Sequence, residues 1–534
     1  MILVVSGFSR TKGASGHPLA LLLYPPPMKT TIAAFALIVC LAVAAGHATE
    51  PNAATRRWWS HIQVLAADNM EGRDTGSAGH AKAAAYVVSQ FEQNGITPAG
   101  ERGYYQQVPI RALRLNTSES SLRLIRGGRA QPLRWLQHMT VAPAPGLPAL
   151  MKGGLVFAGS DNGSTLSGVE GAFVVRLNPE RFVPGAPPQP APPAGAAAVI
   201  GIDSAIGVEP NRWPAQYAVA MTLADAPLPA RQPGPVGFRF NPRFADILFE
   251  GSGHTYKELV TLAAQGRPIP SFPLEGSLSL EMKFDTTSLV SDNVIGVLRG
   301  SDPALADEHV VLSAHLDGYG IGEPWNGDRI YNGAFDDAAY VATLIDFAER
   351  LRASGTKLRR SLLFAVVTGE EKGLLGSRYY TQHLTVPKER LIANINLDQL
   401  RPVFPLRTLT TLAVNDSTLG DTARDVAAKM NIRIQPDPEP LRNLLRRSDH
   451  INFIQIGVPA VGFIFGFEKG TPDEAAYRKW YEDRYHSPLD DLGQPWVPQA
   501  AADFNDFFAR LVETLANADD RPRWKPGSTL APQP

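Results

Sequence analysis

Glu370 and Glu371 follow directly on the apolar run Leu362-Leu363-Phe364-Ala365-Val366-Val367. Potential metal ligands recur near similar runs at His315-Leu316-Asp317, Asp336-Asp337, Asp398 and His486. Where thiolates are absent, imidazole nitrogen and carboxylate oxygen are the ligands that suit zinc, and a catalytic zinc keeps one position open for water. The chemistry such a set could do is metal-assisted hydrolysis, with a carboxylate left over to serve as base.

Scattered over about 170 positions, these groups need a scaffold that gathers them. The run before Glu370 is rich in β-branched and aromatic residues and too short for a helix, so it reads as a buried strand with both carboxylates at its carboxyl end. Open α/β sheets place their ligand crevice there. From Val290 onward strands and helices alternate: strands over 309–314, 361–367, 392–397 and 459–465, and an amphipathic helix over 337–351 through Val341, Leu344, Ile345, Ala348 and Leu351. The expected class is α/β, a mixed and mostly parallel sheet flanked by helices. Residues 55–99 read as helix, turn, helix, closed by Asn94-Gly95.

Between about 116 and 284 the text changes to short β-rich runs broken by Pro and Gly, an inserted domain whose proline-dense stretch 184–193 reads as an exposed loop. Residues 49–115 and 285–516 then form the catalytic domain, and 517–534, punctuated by prolines, reads as a disordered tail.

With 534 residues, 44% hydrophobic and 19% charged, global disorder is excluded. Balanced charge, 51 Lys+Arg against 52 Asp+Glu, argues against a nucleic-acid partner and for a peptide or small molecule. Met28-Lys29, an apolar core over 32–45 and Gly46-His47-Ala48 resemble a secretory signal with a small-residue cleavage site. Residues 1–27 would be an upstream extension, and contact with a membrane would be transient, because the apolar core is shorter than the roughly 20 residues that span one. The one cysteine, Cys40, lies inside that core, so the processed protein would have no disulfide. A periplasmic or secreted protein is expected, stabilised by core burial and bound metal.

The chain resembles the M28 zinc aminopeptidases in Ser313-Ala314-His315-Leu316-Asp317, Gly333-Ala334-Phe335-Asp336-Asp337, Thr368-Gly369-Glu370-Glu371-Lys372-Gly373-Leu374-Leu375-Gly376-Ser377, Asn396-Leu397-Asp398 and Tyr485-His486-Ser487-Pro488-Leu489-Asp490. Met70-Glu71-Gly72-Arg73-Asp74-Thr75-Gly76-Ser77 and Gly95-Ile96-Thr97-Pro98 extend the likeness forward, and the insertion is similar to a protease-associated domain by position and composition. The resemblance implies two zinc ions bridged by Asp336, one completed by His315 and Asp398, the other by Glu371 and His486. It implies Glu370 as general base, and Tyr485 as a group that steadies a developing oxyanion. Asp317 would accept the hydrogen bond from the other nitrogen of His315 and fix its tautomer. Asp336-Asp337 could also cap the helix that follows. Where the family usually has Ser and Gly after this pair, the chain has Ala338-Ala339-Tyr340, so helix packing and pocket shape are expected to differ.

The function implied is an exported exopeptidase that removes N-terminal residues from peptides. A carboxypeptidase on the same scaffold would need cations for a terminal carboxylate, for which Arg401, Arg442, Arg446 and Arg447 are available. A glutaminyl cyclase with one zinc, or a receptor-like protein without catalysis, are the remaining alternatives. Five intact ligand positions argue against both.

Overall fold

Strand β1 (Tyr105–Leu115) pairs along its whole length with β2 (Phe284–Leu298), from Leu115 opposite Phe284 to Tyr105 opposite Val294. The chain between them therefore leaves and returns at adjacent points of one sheet. The computed structural model describes residues 51–532 apart from 165, 179–190, 204–217 and 232. The signal-like segment over 28–48, Cys40 and the loop residues 184–190 lie outside the described residues.

The larger sheet is centred on β3 (His309–His315), β4 (Ser361–Val367), β5 (Leu391–Leu397) and β6 (Ala460–Phe465), in spatial order β6-β5-β3-β4 and parallel throughout. Antiparallel strands flank this centre on both sides: Thr408–Leu412 beside β6, and β2 then β1 beside β4. The sheet is mixed and flanked by helices, the α/β class expected.

The central strands are continuous apolar runs because both faces are covered. Along β4, Leu362, Phe364 and Val366 enter one core, while Leu363, Ala365 and Val367 enter another. Helices Ala53–Leu65, Ala78–Gln93, Ala339–Ser354 and Pro498–Asn517 supply Trp58, Phe91, Leu344 and Phe507 to the first; Leu375–Gln382 and His450–Gln455 supply Tyr380 and Phe453 to the second. The expected helix, turn, helix opening is present as Ala53–Leu65, a short 3-10 turn and Ala78–Gln93.

Residues from 121 to 281 build a second sheet of eight strands with its own core, where Phe157, Phe173 and Phe240 are fully buried. One strand of this region, Val219–Leu223, instead joins the edge of the larger sheet against β1. Tyr340, the bulky residue at the departure from the family pattern, is buried in the main core, and its hydroxyl donates to the Phe463 carbonyl at 3.1 Å.

The tail expected to be disordered is anchored over the described residues. Trp524 Nε1 donates to the Gly457 carbonyl at 3.0 Å, Lys525 Nζ pairs with Asp421 at 2.6 Å, and Leu530 packs beside Ile451 and Ile454. Its prolines exclude regular structure, but side-chain contacts hold it, among them Arg521 on Glu308 and Ser528 on Asp416. Among the described residues no helix is long and apolar enough to cross a membrane.

Candidate metal centre

The carboxyl ends of β3, β4 and β5 deliver His315, the Glu370-Glu371 pair and Asp398 to one crevice. Asp336 arrives on the turn before the Ala339–Ser354 helix, and His486 on the segment after Pro472–Asp483. Gly333 permits that first turn: its φ is +59°, and a Cβ there would come within 2.3 Å of the Asp336 carbonyl. Asp336 and Asp337 have non-helical backbone angles, and the following helix has no side-chain cap at its start. The capping role anticipated for this pair is therefore not filled.

His315 Nε2 lies 3.3 Å from Asp336 Oδ1 and 3.8 Å from Asp398 Oδ1. His486 Nε2 lies 3.2 Å from Asp336 Oδ2 and 3.5 Å from Glu371 Oε2. These five residues form two ligand triads, and Asp336 belongs to both, facing one with each oxygen. A cation pair fits this donor set. His315 Nε2, Asp336 Oδ2, Glu371 Oε1 and Asp398 Oδ1 are buried without a hydrogen-bond partner among the described residues, a costly state for polar atoms unless something binds them.

The electrostatics carry the same message. Burial works against a charged His315, yet Asp336 and Asp398 raise its pKa well above the ordinary imidazole range. Burial pushes Glu371 up to about 7, with His486 opposing. Burial, then Asp398, raises Glu370 well above the ordinary carboxyl range. Like charges crowded in a dry crevice call for positive charge to neutralise them.

Asp317 departs from its expected role. The second nitrogen of His315, Nδ1, lies 3.0 Å from the main-chain oxygen of Asp317 and 3.8 Å from its carboxylate. A carbonyl only accepts, so Nδ1 carries the proton and Nε2 is left as the ligand atom. The chain bends at the strand end and turns the Asp317 side chain away. Its carboxylate accepts instead from the Glu370 amide at 3.1 Å and the Thr75 hydroxyl at 3.0 Å, so it fixes the backbone of Glu370. Glu370 itself belongs to neither triad but lines the cavity beside them, of about 410 Å³. Tyr485 also lines it, with its ring stacked on His486 and its hydroxyl accepting from Gln399 Nε2 at 3.2 Å.

Several positioning groups had no role assigned from sequence. Tyr319 places its hydroxyl 2.9 Å from His486 Nδ1, doing for that imidazole what the Asp317 carbonyl does for His315. Asp490 accepts from the amides of Phe335, at 2.9 Å, and Asp336, at 3.1 Å. The fully buried Arg73 donates to the carbonyls of Leu65, Leu316, Asn332 and Gly333, tying the front segment to both β3 and the Asp336 turn. Arg73 and Asp490 lie inside recognised motifs without a role of their own, and Tyr319 stands two residues after Asp317. His450 is buried and lines the cavity. Arg401 and Arg442 lie outside it, over the Tyr481 ring at 4.3 and 4.7 Å, whereas Arg446 and Arg447 line it.

Residues 293–512 match the model of Peptidase family M28, and the chain carries an M28 peptidase domain. It is 25% identical over 210 residues to Aminopeptidase YwaD of Bacillus subtilis (strain 168), covering 39% of this chain and 41% of that one. It is 27% identical over 260 residues to a probable glutamate carboxypeptidase, LAMP1, of Arabidopsis thaliana, covering 46% of this chain and 35% of that one. Such alignments span between 16% and 50% of the length of the curated relatives the chain matches. The fold is that of an aminopeptidase from Aneurinibacillus sp. strain AM-1, with a TM-score of 0.53 at 18% identity, over 88% of this chain and 95% of that one. BSAP, a zinc aminopeptidase from Bacillus subtilis, aligns with the same TM-score and identity over 88% of this chain and 97% of that one.

Proposed function

We propose that the protein is an exported di-zinc aminopeptidase that removes N-terminal residues from peptides. The observation that carries this reading is the pair of ligand triads sharing Asp336, with one carboxylate, Glu370, left outside both. His315, Asp336 and Asp398 would hold one zinc, and Asp336, Glu371 and His486 the other. When bound, the ions would supply Lewis acidity and a water acidified towards neutral pH.

The remaining work falls to this chain's own side chains. Glu370 takes a proton from the attacking water and passes it to the leaving amine, a role suited by its burial and raised pKa. Asp317, through the Glu370 amide, keeps that base in place. Tyr485, which burial holds as a neutral phenol, donates to the oxygen on which negative charge develops. The region over 116–284 is proposed as a protease-associated domain. Export rests on the signal-like sequence over 28–48.

Zinc content and hydrolysis of leucine p-nitroanilide, for the wild type and Glu370→Ala, test this reading. Two zinc ions in both proteins, with turnover reduced by about 10²–10⁴-fold in the variant, are expected. Near-normal turnover would remove Glu370 as the base. The carboxypeptidase alternative draws support from Arg446 and Arg447 in the cavity lining. Cleavage of N-acetylated peptides in preference to free-amine ones would establish it instead.

A further inference from the structure

The cavity at the metal centre has charges of two kinds. Its acidic lining residues, Glu370, Glu371 and Asp398, are all accounted for by the proposed base and ligands. Apart from these and the histidines, every ionisable lining group with a permanent charge is an arginine: Arg378, Arg446 and Arg447. Arg378, on the Leu375–Gln382 helix, donates one N–H to the Gly373 carbonyl at 2.9 Å, which steadies the guanidinium while its other donors remain. Arg446 and Arg447 are carried by a short turn that Leu444 and Leu445 pin against the hydrophobic cores. The uncharged lining is mixed, with Leu374, Leu412, Leu444, Phe463 and Ile464 as its apolar part beside tyrosines and amide side chains.

A ligand that matches this surface has an aliphatic stem and an anionic end. Guanidinium groups bind carboxylates through paired, charge-assisted hydrogen bonds, stronger than those between neutral groups. The cavity of about 410 Å³ has room for one or two residues beside the metal centre. We infer that the site selects peptides that carry a carboxylate within one residue of the scissile bond, held by Arg378, Arg446 and Arg447. The carboxylate has two sources, an acidic side chain at the N-terminal residue or the α-carboxylate of a dipeptide. The inference rests on the exopeptidase reading above.

The experiment uses two matched pairs of probes on the zinc-loaded full chain: glutamyl against leucyl p-nitroanilide, and leucyl-leucine against leucyl-leucinamide. At least one pair should show kcat/KM about tenfold higher for the carboxylate-bearing member, and that pair names the source. In Arg446→Gln/Arg447→Gln, with a melting temperature checked against wild type, the ratio should fall to within about twofold of unity. Addition of about 0.5 M salt, which screens charges at the rim of a cleft, should lower the wild-type ratio as well. Equal turnover within both pairs overturns the inference, as does a preference that survives the double substitution. Loss of turnover on all four probes defeats the exopeptidase reading first, and the inference falls with it.

Discussion

The two sheets share an architecture at their centres, yet only one builds a site for cations. In the smaller sheet, Phe173–Asn178, Ala198–Asp203 and Val236–Phe240 run parallel, as β3, β4 and β5 do in the larger. Both groups have apolar strands over a core, and both have a cavity, that of the smaller sheet lined by Arg176, Arg239, Gly201 and Gly237. The difference lies at the strand ends. Among the described residues, groups of three or more metal-competent side chains occur only at the end of the larger sheet, where partnerless buried oxygens and nitrogens converge. A parallel sheet supplies a crevice; the residue type that follows each strand determines whether the crevice has chemistry.

Asp336→Ala should break this distinction most severely, because one side chain serves both triads. We expect zinc to fall from two equivalents to below one, and turnover to drop by about 10³-fold or more. Elemental analysis with a leucyl reporter assay measures both. Retention of two zinc ions would show that Asp336 does not bridge. Phe173→Ala makes the converse change, emptying the core of the smaller sheet while leaving the crevice intact. Truncating this fully buried ring should lower stability by about 3–5 kcal/mol. Zinc per folded molecule should stay unchanged, and a parallel loss of metal would mean that the two regions are not separable.

How far these regions could be read from sequence follows the same division. The five ligands converge; His315, Glu371 and Asp398 were legible because each follows an apolar run, and Asp336 and His486 through the motifs of the family the chain resembles. The groups that aim those ligands were not. Asp317 sits two residues after His315, which suggested its carboxylate as the partner, but the bend at the strand end substitutes its carbonyl. Arg73 reaches Gly333, 260 positions away, and Tyr319 reaches His486, 167 positions away, and no local pattern encodes such distances. The tail was misread for a related reason: its prolines report what backbone it cannot form, not which pocket will hold Trp524.

The acid limb of stability offers a smaller test of the larger sheet's framework. His80, on the Ala78–Gln93 helix, is buried with its pKa lowered to about 4 by desolvation, with Asp317 opposing. The folded state therefore keeps the ring neutral while the unfolded chain binds a proton near pH 6.5. Stability is fully present above that value and is lost as pH falls from about 6.5 towards 4, by on the order of 3 kcal/mol. Urea unfolding across this range should show a flatter acid limb for His80→Gln than for wild type. An unchanged limb would assign the acid sensitivity to other groups.

The finest distinction lies inside the metal centre, between its two imidazoles. His315 is 1% exposed at its side chain and its Nδ1 meets a backbone carbonyl, which no side-chain substitution removes. His486 is 20% exposed, and its Nδ1 meets the Tyr319 hydroxyl. Tyr319→Phe deletes that partner and leaves the ring's shape, so the imidazole loses its orientation but not its neighbours. Such outer partners typically contribute 10- to 100-fold in metal affinity. We expect about a tenfold weakening of one zinc ion, the one facing Glu371 and His486, with the other unaffected, in a two-step chelator titration. Equal weakening of both ions, or of neither, would remove Tyr319 as the group that orients His486.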